Sequence, residues 1–240
     1  YHGLSVLVRG ARGWEFRNSL SGFDISSRFF EFTRDGDLLV NHEYKGVYTL
    51  EMDDDFREVS IKRQRPPWGV GASLFKYRGG LYYATDTGLY EFSDSQNEFV
   101  PDSTNASALM SGSDKPVGVL VPDPSAGRLW GFGNGAIHYL DPGPLDAQPV
   151  LKKVDVPADF RPNLGVMGFE CLTPLGNEKY LIGRSNGFVI LDLDGLQQKA
   201  PEIQITRVQK EMREEPPVDL ELSAFNELDF ERGSISIQYL

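Results

Sequence analysis

Six residues stand out for what they could bind: Tyr44, Lys45, Trp68, Asp86, Asn134 and Arg184. Aromatic rings beside an amide, a carboxylate and two cations suit a polar ligand such as an oligosaccharide, which needs stacking surfaces together with oriented hydrogen bonds. Carboxylates are also plentiful. Glycoside hydrolysis needs two of them about 5 to 9.5 Å apart in a cleft, but Glu51, Asp53, Asp54 and Asp55 lie between two apolar segments, where a solvated turn is expected. No sialidase-type Ser-x-Asp box, Gly-x-Ser-x-Gly elbow or Walker loop occurs. His2, His42 and His138 are isolated from one another, and Asp192-Leu193-Asp194-Gly195 lacks the later positions of a calcium loop. Neither catalytic residues nor a metal or cofactor site is expected.

The segments around these residues repeat. An apolar strand, a short polar turn with glycine and a second, aromatic-rich strand recur at 38–50, 81–92, 129–140 and 180–191, with a half-copy at 3–7. The repeat glycines Gly3, Gly46, Gly88, Gly135 and Gly187 are separated by 43, 42, 47 and 52 residues. A four-stranded propeller blade needs about 40 to 50 residues. Within each unit the apolar period is two, which excludes helical repeats of similar length. Flanking strands complete each unit. The first takes 28–32 and 58–62, with Asp35-Gly36-Asp37 as a hairpin turn, and the second takes 73–77 and 98–100. The third is expected at 117–121 and 150–154, and the fourth at 166–172 and 203–208. Tyr48, Tyr90, Tyr139 and Val189 then fall at equivalent positions. The fold expected is all-β, built of four-stranded antiparallel β-propeller blades in an incomplete ring.

Composition agrees. An apolar share of 40%, 25 glycines and 15 prolines suit short strands joined by turns. With 24 basic against 35 acidic residues, the net charge is −11, and no basic run offers a face to phosphates. Lys62-Arg63-Gln64-Arg65 reads as a solvated strand end, and nucleic-acid binding is not expected. Cys171 is the only cysteine. It lies in an apolar run, which predicts a small buried residue rather than a nucleophile. No stretch approaches the roughly 20 apolar residues of a membrane helix. The chain opens at Tyr1 without an initiator Met, as an excised segment of a longer polypeptide would.

The motif Phe29-Phe30-Glu31-Phe32, Asp35-Gly36-Asp37-Leu38-Leu39-Val40, Lys45-Gly46-Val47-Tyr48 resembles the regulator-type propeller repeat of bacterial sensory proteins. These are hybrid two-component sensors and helix-turn-helix regulators, mostly of the Bacteroidetes. The resemblance covers residues 1–208. The tail, with Val218 to Leu222 and Ser234 to Tyr239, is similar to the first strands of the triple-tyrosine sandwich that follows such propellers, which gives a second region at 209–240. The resemblance implies a periplasmic, ligand-sensing segment that signals to a kinase or transcription-regulating output beyond this sequence. The ring would be completed by the rest of the polypeptide or by a second subunit. A protein-interaction scaffold without a small ligand is the alternative, and a carbohydrate-active enzyme a more distant one. Turns joining the second and third strands of successive blades gather on one face. That face should collect Tyr44, Lys45, Asp86, Asn134 and Arg184, with Trp68 on a connection between blades.

Overall fold

The computed structural model describes residues 3–42, 44–67, 71–102, 106–143, 148–196, 205–211, 216–220 and 234–239. Trp68, with Glu43 and His2, lies outside them. The chain divides into two compact units, Tyr1–Asp192 and Leu193–Leu240, whereas the repeat reading ran to residue 208.

The first unit is a series of antiparallel sheets. A half-blade pairs Ser5–Gly10 (β1) with Gly13–Ser19 (β2). The first blade holds Phe29–Phe32 (β3), Leu38–His42 (β4), Gly46–Met52 (β5) and Val59–Arg65 (β6) in simple succession. Ser73–Tyr77 (β7), Gly80–Thr85 (β8), Gly88–Ser93 (β9) and Glu98–Pro101 (β10) form the second. Val121–Asp123 (β11), Arg128–Phe132 (β12), Ala136–Asp141 (β13) and Val150–Asp155 (β14) form the third. Among the described residues the fourth has three strands, Leu172–Gly176 (β15), Lys179–Arg184 (β16) and Gly187–Asp192 (β17). The fold is all-β, with propeller-like four-stranded blades. Helix among the described residues amounts to Ala106–Leu109 (α1) and a 3-10 turn at Arg161–Leu164.

The alternating strands bury one face of each sheet on the next. Leu38, Val40, Tyr48 and Leu50 of the first blade pack on Leu20 and Phe23 after the half-blade. On the opposite side Leu39 and Val47 meet Leu74, Leu81 and Tyr83 of the second blade. Phe75, Leu89, Leu129 and Leu140 join the second to the third. Trp130, fully buried, stacks on Tyr139 at 4.4 Å and meets Tyr180 of the fourth blade at 4.5 Å.

Polar clamps fasten the rims of neighbouring blades. Arg17 and Asn18 on β2 donate to the carbonyls of Asp55 and Phe56, in the turn between β5 and β6, at 2.8 and 2.9 Å. One blade further on, Arg63 and Arg65 on β6 donate to the Asn97 carbonyl, in the turn between β9 and β10, at 3.1 and 2.7 Å. Phe56 and Asn97 both have left-handed backbones, with φ of 52° and 50°, so the two turns present their carbonyls alike. The reading of Lys62–Arg65 as a solvated strand end therefore fails at Arg65, which is buried because the next blade covers it.

A second polar chain joins the third and fourth blades. Arg128 donates to the Tyr180 hydroxyl at 2.7 Å, and that hydroxyl donates to Asp123 Oδ2 at 2.9 Å. Burial pushes the Tyr180 phenol up to about 12, so it keeps the proton it donates. Tyr180→Phe is expected to cost about 1–3 kcal/mol, since it leaves Asp123 short of a donor in a buried place. Urea unfolding measures this, and a loss below about 0.5 kcal/mol would show that water or a shifted Arg128 replaces the bond.

Several expectations are corrected. Residues 166–171 form a turn and loop, and the inner strand begins only at Leu172. Cys171 is consequently exposed rather than buried, because a loop has no sheet face to bury it. The third blade's inner strand is likewise short, Val121–Asp123 instead of 117–121. Ile205–Glu211 (β18) is not the fourth blade's outer strand. It pairs with Val218–Asp219 (β19) and Ser234–Tyr239 (β20) in the second unit, where Arg207 binds Asp219 through two bonds of 2.8 and 2.9 Å. The glycine register also slips once. Gly46, Gly88 and Gly187 each sit opposite the last residue of the preceding strand, but Ile137 holds that place in the third blade. There the hairpin is extended by a bond from Gly133 N to the Ala136 carbonyl, which leaves Gly135 within the turn. Tyr48, Tyr90, Tyr139 and Val189 nevertheless each lie two residues beyond the last ladder pair.

Candidate functional site

The inner strands β3, β7 and β15 begin beside the hairpins that join second and third strands, because each inner strand runs antiparallel to its neighbour. Loops from three blades therefore meet at this end. Residues 26–28 with Phe29 at the start of β3, Asn41, His42 and Tyr44 of the β4–β5 hairpin, Gly71-Ala72 before β7 and the loop 167–169 before β15 wall a cavity of about 640 Å³. A smaller cavity of about 420 Å³ lies between residues 164–171 and Gly183–Ser185. Phe169 borders both.

Each wall has a local cause. His42 Nδ1 accepts the backbone N–H groups of Tyr44 and Lys45 at 3.1 and 3.2 Å, which closes the turn and leaves the Tyr44 ring 70% exposed. Asn41, only 3% exposed, donates Nδ2 to the Ala72 carbonyl at 3.2 Å, while its Oδ1 has no partner. That is a costly arrangement unless something completes it. The 166–171 loop is anchored by Glu170, which accepts the N–H groups of Val119 and Gly168 at 3.1 and 3.0 Å and pairs with Arg161 at 2.8 Å. Arg161 also donates to the Val117 carbonyl at 2.8 Å. The buried carboxylate thus fastens this loop to the connection before β11 and projects Phe169, 62% exposed, over the cavity. The Arg28 guanidinium lies 4.0 Å from the centre of that ring and 4.9 Å from Phe29.

The residues expected to gather on this face are divided. Tyr44 walls the larger cavity and Arg184 the smaller. Arg184 approaches Asp159 at 3.6 Å, and its buried Nε has no partner. Lys45, Asp86 and Asn134 border neither. The Lys45 carbonyl accepts Gln64, and the Asp86 carbonyl accepts Lys115 Nζ at 2.8 Å. Asp114 caps the Asn134 turn, accepting the N–H groups of Asn134 and Gly135 at 2.8 and 3.1 Å and facing His138 at 3.3 Å. The Gly135 N–H and the other donors outweigh what burial costs, and hold the Asp114 carboxyl below the usual range. Arg28, Asn41 and Phe169 were not singled out from the sequence. Arg28 does precede the repeat strand Phe29–Phe32, but nothing in 166–172 distinguishes a loop from an apolar strand.

The carboxylate cluster at 51–55 has a structural task. Asp53 Oδ1 accepts the N–H groups of Arg57 and Glu58 at 2.7 and 2.8 Å, so it closes the turn between β5 and β6. Its pKa is lowered, chiefly by the Glu58 N–H. Among the described residues no group of three or more His, Cys, Asp or Glu is placed to hold a metal. No described helix is long and apolar enough to cross a membrane.

No family model matches the chain, and no curated protein does so. Two solved structures of the extracellular domain of BT4673 from B. thetaiotaomicron are similar to it. That protein is described in one as a one-component system and in the other as a hybrid two-component system. Both align at 14% identity over 72% of this chain, with TM-scores of 0.48 and 0.49. The chain spans 23% of the length of these neighbours.

Proposed function

We propose that this chain is a ligand-receiving propeller segment of an extracytoplasmic bacterial sensor, of the one- or two-component kind its repeat resembles. A polar ligand held where the loops of three blades meet would favour one arrangement of those blades and so bias the domains that follow. The observation that carries this reading is the cavity of about 640 Å³, open to solvent and walled by exposed rings beside amide, hydroxyl and guanidinium groups. Its size lies within the range of small-molecule sites. Binding without turnover is part of the proposal, as are the periplasmic location and a transcription-regulating output.

Thermal melting of the 240-residue chain against a panel of soluble oligosaccharides tests it. A ligand at 100 times its Kd adds about 2.7 kcal/mol, which for a chain of this size raises Tm by roughly 5–10 °C. Tyr44→Ala should reduce that shift while leaving the ligand-free melt unchanged. If no compound raises Tm, or if product analysis shows the oligosaccharides being cleaved, the reading is wrong.

A further inference from the structure

The larger cavity has a charge character opposite to that of the whole chain. The net charge is −11, yet none of the described residues walling either cavity is an aspartate or glutamate. The charged groups there are Arg28 and Arg184. Arg34, Arg63, Arg65, Arg128, Arg161 and Arg207 all pair with carboxylates. Arg28 pairs with none among the described residues and rests instead against two phenyl faces. A guanidinium lying against aromatic rings keeps its N–H groups, which point outward in its plane, free for a two-point contact with a planar acid. Asn41, 3% exposed, lines the same cavity, and its enclosed Oδ1 has no hydrogen-bond partner. The exposed rings of Tyr44 and Phe169 offer flat apolar faces close by.

We infer that the cavity takes a short anionic saccharide, a sugar ring bearing a carboxylate or a sulfate. The acid group meets Arg28, and the apolar face of the sugar lies on an aromatic ring. A long polyanion is disfavoured, because the chain's net charge of −11 repels it beyond the first residues. This deepens the ligand-binding reading and rests on it.

Calorimetry on the full chain separates the terms. The probes are digalacturonate, its methyl ester, a sulfated disaccharide and an uncharged galactose disaccharide, each at low and moderate salt. An acidic probe should bind at least tenfold tighter than the ester or the neutral sugar, and lose that advantage as salt rises. Arg28→Gln should remove the advantage, weakening the acidic probe at least tenfold and leaving the neutral one unchanged. Whether digalacturonate or the sulfated sugar shows the effect tells which acid is recognised. Equal binding of acid and ester, unaltered acid binding by Arg28→Gln, or no binding by either acidic probe overturns the inference. If the neutral sugar binds and Arg28 is indifferent, the anionic preference fails and the ligand-binding reading survives.

Discussion

Arg65→Ala is expected to destabilise the chain by about 3–5 kcal/mol, the range for breaking a buried ionic network by removing one partner. The corresponding fall in Tm is roughly 6–20 °C. The Arg65 side chain is 4% exposed and spends its donors on four atoms: Glu98 Oε2 at 3.1 Å, Thr49 Oγ1 at 2.5 Å, and the carbonyl and side-chain oxygens of Asn97 at 2.7 and 3.0 Å. Its guanidinium also lies 5.6 and 5.9 Å from the rings of Phe92 and Phe99. Alanine would leave Thr49 Oγ1, itself buried, and Asn97 Oδ1 without this donor, and open a void between the first and second blades. Arg63 supplies the control. It donates to the same carbonyl and pairs with Glu98, but its side chain is 44% exposed. Arg63→Ala should cost less than about 1 kcal/mol. Equal melting of the two variants would show that the clamp does not hold the blades.

Gly46→Ala is the second large effect, at least about 3 kcal/mol by strain and overpacking together. At φ 87° a side chain is already unfavourable, and a Cβ there would fall 1.9 Å from the Arg65 carbonyl oxygen, which belongs to backbone and cannot swing aside. Gly187 sits in the same hairpin position of the fourth blade, with φ 144° and open space around it. Gly187→Ala should cost only about 1 kcal/mol. Thermal melts of the two variants decide, and similar losses would mean the close approach of β5 to the end of β6 is relieved by small shifts. Gly3 shows the same crowding against the Phe23 carbonyl, at 2.5 Å.

These two residues also show where the sequence is readable. Strands such as Leu38–His42 and Ser73–Tyr77 follow from alternation and from turns like Asp35-Gly36 and Arg78-Gly79, both local signals. The connections between blades carry no such signal. Val166 to Leu172 reads as an apolar strand, but its conformation is set by Glu170 reaching Val119 and Arg161 in other segments. The buried Arg65 looked solvated for the same reason, since its cover comes from the next blade. The candidate site was legible only as a face. The repeat placed Tyr44 and Arg184 on it, while the meeting of Phe169 with Arg28 and Asn41 joins segments far apart in sequence.

Apart from Arg28 against Phe169 at the cavity, the apolar layers and rim clamps among the described residues join each blade to its neighbours in sequence. Among the described residues β17 has no strand on its outer side, and Phe188 and Ile190 on it are more than half exposed, as are Trp14 and Phe16 on β2. Such a stack behaves as a one-dimensional chain of coupled units. Opening should begin at β1–β2 and β15–β17, where a unit loses one interface, and reach the second blade last, where it must lose two. Amide hydrogen exchange would then show a gradient, slowest in β8 and β9 and fastest toward both ends. Denaturant transitions followed by tryptophan fluorescence would not coincide with those followed by circular dichroism, because Trp14 and Trp130 sit at different depths in that gradient.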